Sequence, residues 1–531
     1  MLCLNIGTDP PDVVRPTPCA RVECWKNTVG IYRTKAAEEI GNALEKQYEK
    51  WQSKAKYKLC LDPTSDELRR VSHGLRKTAR SDRLLVHYNG HGVPKPTANG
   101  ELWCFGRNLT HYAPLPVSEL CSWFGRPSVY VLDCSGAGIL LPFFNAEHDQ
   151  TPPLGSGGER GPTGGGRRHD ADSAQSALDN DTMVLAACRA DELLPMNPQY
   201  PADIFTACLT SPIRMAVWWF VLQNPFSMAG IDPDIASHLS GKENDRKTPR
   251  GELNWIFTAI TDTIAWSTLP RNVFQKMFRQ DLLVASLFRN FLLAMRVMKS
   301  FNCHPQSHPP LSDSICYHKL WHAWDLAVES AILRADGVRK GTVSNAVRPS
   351  PSPSPFFTEH LTAFEVWLTF GGFLEESPPH LPILLQELLS QAHRPRALQL
   401  LKRYVAMGSE AVNLSLIVGI FPYILKLLQS PQLEIRQTLI CIWTCILGFD
   451  KSCRAELMKE GHHKRFMDFM ISPEAPLIQR CKATFVLAEL CDGFAEAKSL
   501  CFQRGLLQVL PSCFAVCACA CACMSYCVVA A

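Results

Sequence analysis

The stretch RLLVHYNGHGVP, residues 83–94, is the strongest indication of the fold class. It begins as an apolar run with the composition of a buried strand and ends in the turn NGHG. Open α/β sheets place their ligands at the carboxyl ends of their parallel strands. A lone histidine in a glycine-flanked turn therefore predicts that His91 lies at a functional edge of a sheet, beside exposed backbone N–H groups.

A second stretch of the same kind, SVYVLDCSGAG, covers residues 128–138 and carries Cys134 directly after its apolar run. His91 precedes Cys134 by 43 residues. This order and spacing resemble those of caspases, where a histidine lies roughly 50 residues before the nucleophilic cysteine. The resemblance implies a caspase-like α/β fold, with His91 and Cys134 as the candidate catalytic dyad.

The elements around these strands alternate as in a parallel sheet. Residues 2–7 form an apolar run, and residues 35–51 place apolar side chains on one helical face. Thr64 and Glu67 form a capping-box sequence that predicts the start of another helix. Further predictions are a short helix at 118–124 and a strand at 183–188. The fold class expected for this part is an α/β caspase-like sandwich with a parallel sheet.

Composition excludes several classes of function. The 531 residues allow roughly three domains. The formal charge of +4 gives no field strong enough to indicate nucleic acid or an anionic membrane as the main partner. Neither a signal peptide nor an apolar run of about 18 residues is found, so no membrane span is predicted. The 23 cysteines form no CxxC pair, which favours buried thiols, no metal or cofactor, and a cytoplasmic location.

Residues 145–181 interrupt the alternation with a Gly/Pro/Arg-rich tract that lacks an apolar face. We expect this tract to be a disordered surface insertion. From residue 250 the apolar periodicity is helical throughout, up to a Ser/Pro-rich linker. The predicted domains are an α/β domain at 1–235, a helical block packed on it at 236–338, and the linker at 339–355.

A repeat follows the linker. Similar segments begin at Gly419, Gly461 and Gly505, with spacings of 42 and 44 residues. A helical repeat of roughly 40–47 residues is typical of armadillo and HEAT proteins. We therefore expect an all-α armadillo/HEAT-type solenoid at 356–512. The Cys/Ala-rich tail at 513–531 has neither ligand geometry nor a polar cap, which favours an artefactual or alternative terminus over a metal site.

Several motifs together resemble the Raptor family, the scaffold subunits of the first target-of-rapamycin (TOR) kinase complex. The motifs are LCLNIGTDPPDVV, HYNGHGVP, DCSGAG, LLPM, NDRKTPRGELNWIFTAITDTIAW and FRQDLLVASLFRNFLLA. The resemblance covers about residues 2–510. It implies a scaffold that binds the TOR kinase, recruits substrates with a TOR-signalling motif and regulates cell growth in response to nutrients.

The same resemblance implies small GTPases as partners and recruitment from the cytoplasm to the lysosomal or vacuolar surface. Members of the family usually begin upstream of the first strand and finish in a β-propeller. Neither feature is present in these 531 residues. We therefore expect a truncated or partial chain.

Two functions remain open at this stage. A cysteine peptidase would use Cys134 as nucleophile and His91 as base, with N–H groups of Gly92 and the Ser135-Gly136 turn as an oxyanion hole. A neighbouring Asp133 disfavours a thiolate at Cys134, although strand alternation predicts that its carboxylate points elsewhere. The family resemblance favours a non-catalytic scaffold in which His91 and Cys134 are a vestigial dyad.

The resemblance also implies a site for a five-residue TOR-signalling motif, in which a Phe is followed by acidic and aliphatic residues. Such a motif requires an apolar pocket with cations at its edge. Arg246 and Lys247, in a basic turn before the helical block, and Tyr423, in the first clear repeat, are the predicted contacts. The alternative is that the basic pair is an ordinary solvated turn.

Overall fold

A computed structural model describes residues 1–107, 111–146, 181–340, 355–371, 378–458, 461–472, 475–492 and 495–503. The chain divides into two compact units, Met1–Pro349 and Ser350–Ala531. Nearly all of the predicted disordered insertion, most of the Ser/Pro linker and the whole Cys/Ala-rich tail lie outside the described residues.

The described residues of the first unit contain ten strands. They are β1 Leu2–Cys3, β2 Val22–Glu23, β3 Lys26–Asn27, β4 Cys60–Leu61, β5 Leu84–Asn89, β6 Glu101–Phe105, β7 Tyr112–Pro116, β8 Ser128–Asp133, β9 Thr182–Ala186 and β10 Gln306–His308. Six of them form the main sheet in the order β10-β9-β8-β5-β1-β4. The strands β5, β8 and β9 form its centre and are almost entirely buried.

The main sheet confirms the predicted α/β class, and a single antiparallel edge strand makes it mixed. Its strands β4, β1, β5, β8 and β9 pair in parallel, but β10 joins the edge antiparallel to β9. The strand predicted at residues 2–7 contains only two residues, because Asn5 takes a positive φ of 53° and ends the extended backbone. The antiparallel pair β6–β7 was not predicted.

Helices cover the sheet and continue into a helical block. The α/β part contains Arg33–Glu49, Ser65–Ala79, Val117–Phe124, Leu141–Ala146, Ile204–Thr210 and Pro212–Gln223. The block contains Pro249–Thr268, Arg271–Phe278, Leu282–Lys299 and Leu320–Arg339. The predicted capping box is present, since the Thr64 hydroxyl accepts from the Glu67 N–H and the Glu67 carboxylate accepts from the Thr64 N–H.

The helical block packs on the α/β part inside the same compact unit. The amide of Asn290 donates to the backbone oxygen of Leu209 at 2.6 Å. Within the block, the buried carboxylate of Asp262 lies 3.0 Å from Arg279 and 2.7 Å from Arg289. Two guanidinium groups thus compensate the desolvation of one carboxylate.

The second unit is helical. Its helices are Pro355–Val366, Leu381–Leu388, Arg394–Val405, Ser409–Val418, Phe421–Leu427, Leu433–Phe449, Arg454–Met458, His463–Ile471, Leu477–Cys491 and Ala495–Gln503. Gly419 and Gly461, which begin two repeat copies, both take positive φ angles, of 93° and 73°, just before a helix. The repeat therefore corresponds to a recurring turn, as expected for a helical solenoid. The third copy, from Gly505, lies outside the described residues.

The described residues contain neither a single-helix membrane span nor a metal-binding cluster. No single helix there is both long and apolar enough to cross a bilayer, although the bent pair Ser409–Val418 and Phe421–Leu427 meets the criteria of length and composition when taken together. Nor does the described part of the chain hold a group of three or more His, Cys, Asp or Glu side chains placed to bind a metal ion.

Candidate active site at the sheet edge

The two central strands carry both dyad candidates to one end of the sheet. The last residues of β5 and β8, Asn89 and Asp133, are register partners. His91 follows β5 by two residues and Cys134 follows β8 by one, and both are buried. The backbone at Gly90, just before His91, packs closely against Cys134. A Cβ on Gly90 would lie 3.0 Å from the Cβ of Cys134.

The imidazole of His91 lies between two buried carboxylates. Its Nε2 is 3.0 Å from Oδ1 of Asp133, and its Nδ1 is 3.6 Å from Oε1 of Glu23. Both contacts are ion pairs, and the one to Asp133 is poorly aligned for a hydrogen bond. Burial opposes a charge on His91, but Asp133 and then Glu23 outweigh it and raise the pKa of His91 well above its usual value.

This arrangement makes His91 a poor base. A protonated imidazole cannot accept the proton of a thiol, which a peptidase dyad requires. Among the residues that the structure describes, His91 and Cys134 form no hydrogen bond with each other. Burial, and then the neighbouring Cys188 and Asp133, raise the pKa of Cys134 well above its usual value. The thiol therefore stays protonated and weakly nucleophilic.

Asp133 contributes its carboxylate to the contacts of His91. The same carboxylate accepts a hydrogen bond from the hydroxyl of Thr206. Burial opposes its ionisation, yet His91 lowers the pKa of Asp133 below its usual value, and the same two effects act on the pKa of Glu23. The protonated imidazole thus stabilises the charged forms of both carboxylates, and both carboxylates stabilise the protonated imidazole.

A third buried acid, Asp203, interacts with the same groups but differs from Glu23 and Asp133 in its protonation. Burial, followed by the charge of Glu23, raises the pKa of Asp203 to about 8. Its Oδ2 accepts a hydrogen bond of 2.8 Å from the backbone N–H of Cys24. Nearby His87 is neutral because burial lowers its pKa to about 3.

One of the backbone donors that the expected oxyanion hole would need is already used. The Gly136 N–H donates to the backbone oxygen of Glu192 at 2.9 Å. The hydroxyl of Ser135 accepts from the N–H of Leu194 at 3.1 Å. The preorganised donors of a working hole point at the position of a developing negative charge, so the Gly136 N–H does not serve as such a donor in this conformation.

The loop after β1 closes the cleft over His91. Arg15 donates to the backbone oxygen of His91 at 2.9 Å and pairs with Asp9 at 3.0 Å. The carboxylate of Asp12 accepts from the N–H of Lys95 at 3.0 Å. The remaining cavity has a volume of about 30 Å³, which is room for about one water molecule. No peptide substrate fits there.

Sequence reasoning identified His91 and Cys134 but missed Glu23 and Asp203. Glu23 lies on the two-residue strand β2, which is too short to show any alternation of apolar residues. Asp203 precedes the helix Ile204–Thr210, as an ordinary helix N-cap residue would. Neither position carries a local signal for a buried charge, because the partner that keeps Glu23 ionised lies far along the chain.

The predicted motif-binding residues fall in both compact units. Arg246 and Lys247 belong to the first unit, where the guanidinium of Arg246 stacks on Trp255 at 4.1 Å and the Lys247 side chain is exposed. Tyr423 is half-buried in the helix Phe421–Leu427 of the second unit. The basic turn and Tyr423 thus belong to different compact units, and a contact between them stays a prediction.

The fold and the buried dyad define a protein with a caspase-like α/β domain followed by a helical solenoid. A family model described as "Raptor N-terminal CASPase like domain" matches residues 1–144. A crystal structure of Raptor from Chaetomium thermophilum aligns with 96% of this chain and 44% of its own, with a TM-score of 0.80 and 42% identity.

Curated relatives match over most of the chain as well. "Regulatory-associated protein of TOR 1" of Arabidopsis thaliana is 50% identical over 96% of this chain. "Protein raptor homolog" of Dictyostelium discoideum is 46% identical over 96% of it. The chain belongs to the Raptor family, and it spans 36–37% of the length of these two relatives.

Proposed function

We propose that this chain acts in a non-catalytic scaffold of a TOR kinase complex, which binds the kinase and recruits substrates carrying a TOR-signalling motif. The observation that carries the non-catalytic part is the ion cluster of His91 with Glu23 and Asp133. A histidine held protonated beside a buried, protonated Cys134 lacks the base and the nucleophile of a peptidase.

The names of the relatives support the kinase complex as the place of action. Beside the plant protein named for TOR, a relative from Schizosaccharomyces pombe is called "Target of rapamycin complex 1 subunit mip1". Binding of small GTPases, recruitment to the lysosomal or vacuolar surface and control of growth by nutrients belong to the same proposal. So do the domain boundaries expected from the sequence.

Thiol labelling tests the non-catalytic part. An activity-based cysteine probe is expected to leave Cys134 of the native chain unlabelled and to label it after denaturation, because burial keeps the thiol protonated. The Cys134→Ala variant shows which labelled peptide belongs to this residue. Labelling of the native chain that depends on Cys134, together with cleavage of a peptide library, would show an active peptidase instead.

Cross-linking tests where the kinase binds. Solenoids offer long surfaces for protein partners, so we expect the second unit to contact the TOR kinase. Exposed Lys426 and Lys464 in that unit should cross-link to the kinase in a reconstituted complex, whereas exposed Lys46 and Lys77 in the first unit should not. The opposite pattern would move the kinase interface to the caspase-like unit.

Peptide titration tests the motif site. Arg246→Asp with Lys247→Asp should weaken binding of a motif peptide by ~1–3 kcal/mol, the range for hydrogen bonds to charged groups. Arg246 also stacks on Trp255, so its substitution changes packing as well as charge. The single variant Lys247→Asp measures the effect of charge without that change in packing. Lys242→Asp, an exposed position of the same loop, is the matched control. Unchanged affinity in the double variant, or equal weakening of a scrambled peptide, would rule out this location.

A further inference from the structure

A second cavity of the first unit lies away from the sheet edge and has a volume of about 280 Å³. It is distinct from the cavity over His91, with which it shares no residue. We call it the Trp25 pocket, and it is lined by Trp25, Lys50, Ser211, Ile213, Arg214, Ala236, Ser237, Glu243 and Arg250. Its volume is just below the ~300–1,000 Å³ of small-molecule sites. It therefore suits one or two side chains of a peptide better than a large cofactor.

The wall of the pocket is a tryptophan in an unusual conformation. Cys24 and Trp25 form the two-residue turn between β2 and β3, and both take positive φ angles, of 48° and 60°. Two-residue hairpin turns with this property ordinarily use Asn and Gly, because a side chain is strained there. A bulky residue held in this region of backbone space is an outlier of the kind that clusters at binding sites.

Neighbouring side chains fix the orientation of Trp25. Its Nε1 donates to the hydroxyl of Ser211 at 2.7 Å, and the guanidinium of Arg214 lies 4.0 Å from the ring. Arg214 is itself held by Asp234 through bonds of 2.8 Å and 2.9 Å. The aromatic wall is thus preorganised, which lowers the entropy cost of binding a ligand against it.

The charges of the pocket do not cancel. Arg214 is neutralised by Asp234, but within the described part of the chain Lys50 and Arg250 pair with no carboxylate. Arg250 donates to the backbone oxygen of Ala236 at 2.7 Å, which satisfies a donor without neutralising the charge. Glu243 supplies a single negative charge at the exposed side. The two cations outnumber it, so the pocket attracts anions.

We propose that the Trp25 pocket binds an acidic peptide segment of a protein partner. An apolar side chain of that segment packs on Trp25 and on the buried floor of Ile213 and Ala236, while its carboxylates contact Lys50 and Arg250. Both halves of the chemistry are in one cavity, an apolar wall and unpaired cations, which is what recognition of an acidic, apolar segment requires. This site is separate from the proposed motif contacts at Arg246 and Lys247.

Fluorescence polarisation of the full chain with a fluorescein-labelled Asp-Glu-Phe-Glu-Asp peptide tests this proposal. Lys50→Gln should weaken binding about threefold to fivefold, as expected for one partly exposed ion pair. Glu243→Gln should tighten it, because an opposing charge is removed. Lys46→Gln, which removes an exposed charge on the same helix outside the pocket, should change nothing.

Control peptides and a second variant show whether the polarisation change comes from binding in the Trp25 pocket. If the pocket recognises both the carboxylates and the aromatic ring, two control peptides should bind more weakly than Asp-Glu-Phe-Glu-Asp. They are the uncharged peptide Asn-Gln-Phe-Gln-Asn and the ringless peptide Asp-Glu-Gly-Glu-Asp. The acidic peptide lacks the aliphatic residue of the TOR-signalling motif, so the variant Arg246→Asp with Lys247→Asp should bind it as the unchanged chain does. Equal loss in Lys50→Gln and Lys46→Gln, or loss confined to the Arg246/Lys247 variant, would overturn the Trp25 pocket while leaving the proposed scaffold function untouched.

Discussion

The two charged regions of the first unit follow opposite rules. At the sheet edge, His91, Glu23 and Asp133 are buried, paired with one another and closed off by the loop that carries Arg15. In the Trp25 pocket, Lys50 is exposed and its cavity is open enough for a peptide side chain. Buried, mutually paired charges hold a structure together, whereas accessible charges without a carboxylate partner are free to bind a ligand.

The largest effect on stability is expected from a substitution of Asp133 in the buried cluster. Asp133→Asn leaves His91 and Glu23 with an incomplete cluster, and removal of one partner of a buried ion pair costs ~3–5 kcal/mol. Hydrogen exchange of peptides from β5 and β8 measures this loss locally. Asp66→Asn, which breaks an exposed pair of 3.1 Å with Arg107, is the control and should cost at most about 1 kcal/mol. Equal effects of the two substitutions would mean that the buried cluster at His91 contributes no more stability than an exposed ion pair.

Backbone packing at the closed site gives a smaller effect. A Cβ on Gly92 would lie 1.9 Å from the backbone oxygen of Asn5, so Gly92→Ala should destabilise the first unit by ~1–3 kcal/mol, as overpacking does. Gly74, inside the helix Ser65–Ala79, has no neighbour within 4 Å of its added Cβ. Gly74→Ala should therefore stabilise the helix by ~0.5–1 kcal/mol. Thermal unfolding of the two variants should shift in opposite directions.

The pH dependence of stability tests the state of Asp203. Its folded pKa is raised to about 8, so its protonated form stabilises the fold fully below its unfolded value of roughly 3.9. That contribution is lost as pH rises toward the folded value. An Asn at this position cannot ionise, so the free energy of unfolding of Asp203→Asn does not fall with pH in this way. Relative to the unchanged chain, that free energy should therefore increase by up to about 1.4 kcal/mol per pH unit. Urea unfolding between pH 5 and 7 measures the difference, and a constant difference would show an ionised Asp203.

The smallest expected effect belongs to the open region. Lys50→Gln should leave the free energy of unfolding unchanged within about 0.5 kcal/mol, the usual range for surface substitutions. Urea unfolding beside the Lys46→Gln control checks this. A loss well above that range in Lys50→Gln alone would show that Lys50 serves the helix end of Arg33–Glu49 and not a ligand.

Sequence patterns predicted secondary structure correctly where the pattern depends on residues close together in the chain. The helix expected at 35–51 is Arg33–Glu49, and the Thr64–Glu67 capping box starts the helix Ser65–Ala79 as expected. Helix periodicity and capping depend on residues three or four positions apart, which a sequence displays directly. The hairpin β6–β7 was missed because its strands, ELWCF and YAPLP, show no clean alternation and the second contains two prolines.

Strand composition and glycine-rich turns are local properties, so the amino-acid pattern alone places His91 and Cys134 at the same end of a caspase-like sheet. That the two side chains do not form a working pair follows only from the folded chain. The charge of His91 is set by Glu23 and Asp133, one of them on a strand that no pattern predicts. The position of Trp25 beside Lys50 and Arg250 likewise joins distant segments. Burial and electrostatic pairing depend on distances in space, which spacing along the chain does not encode.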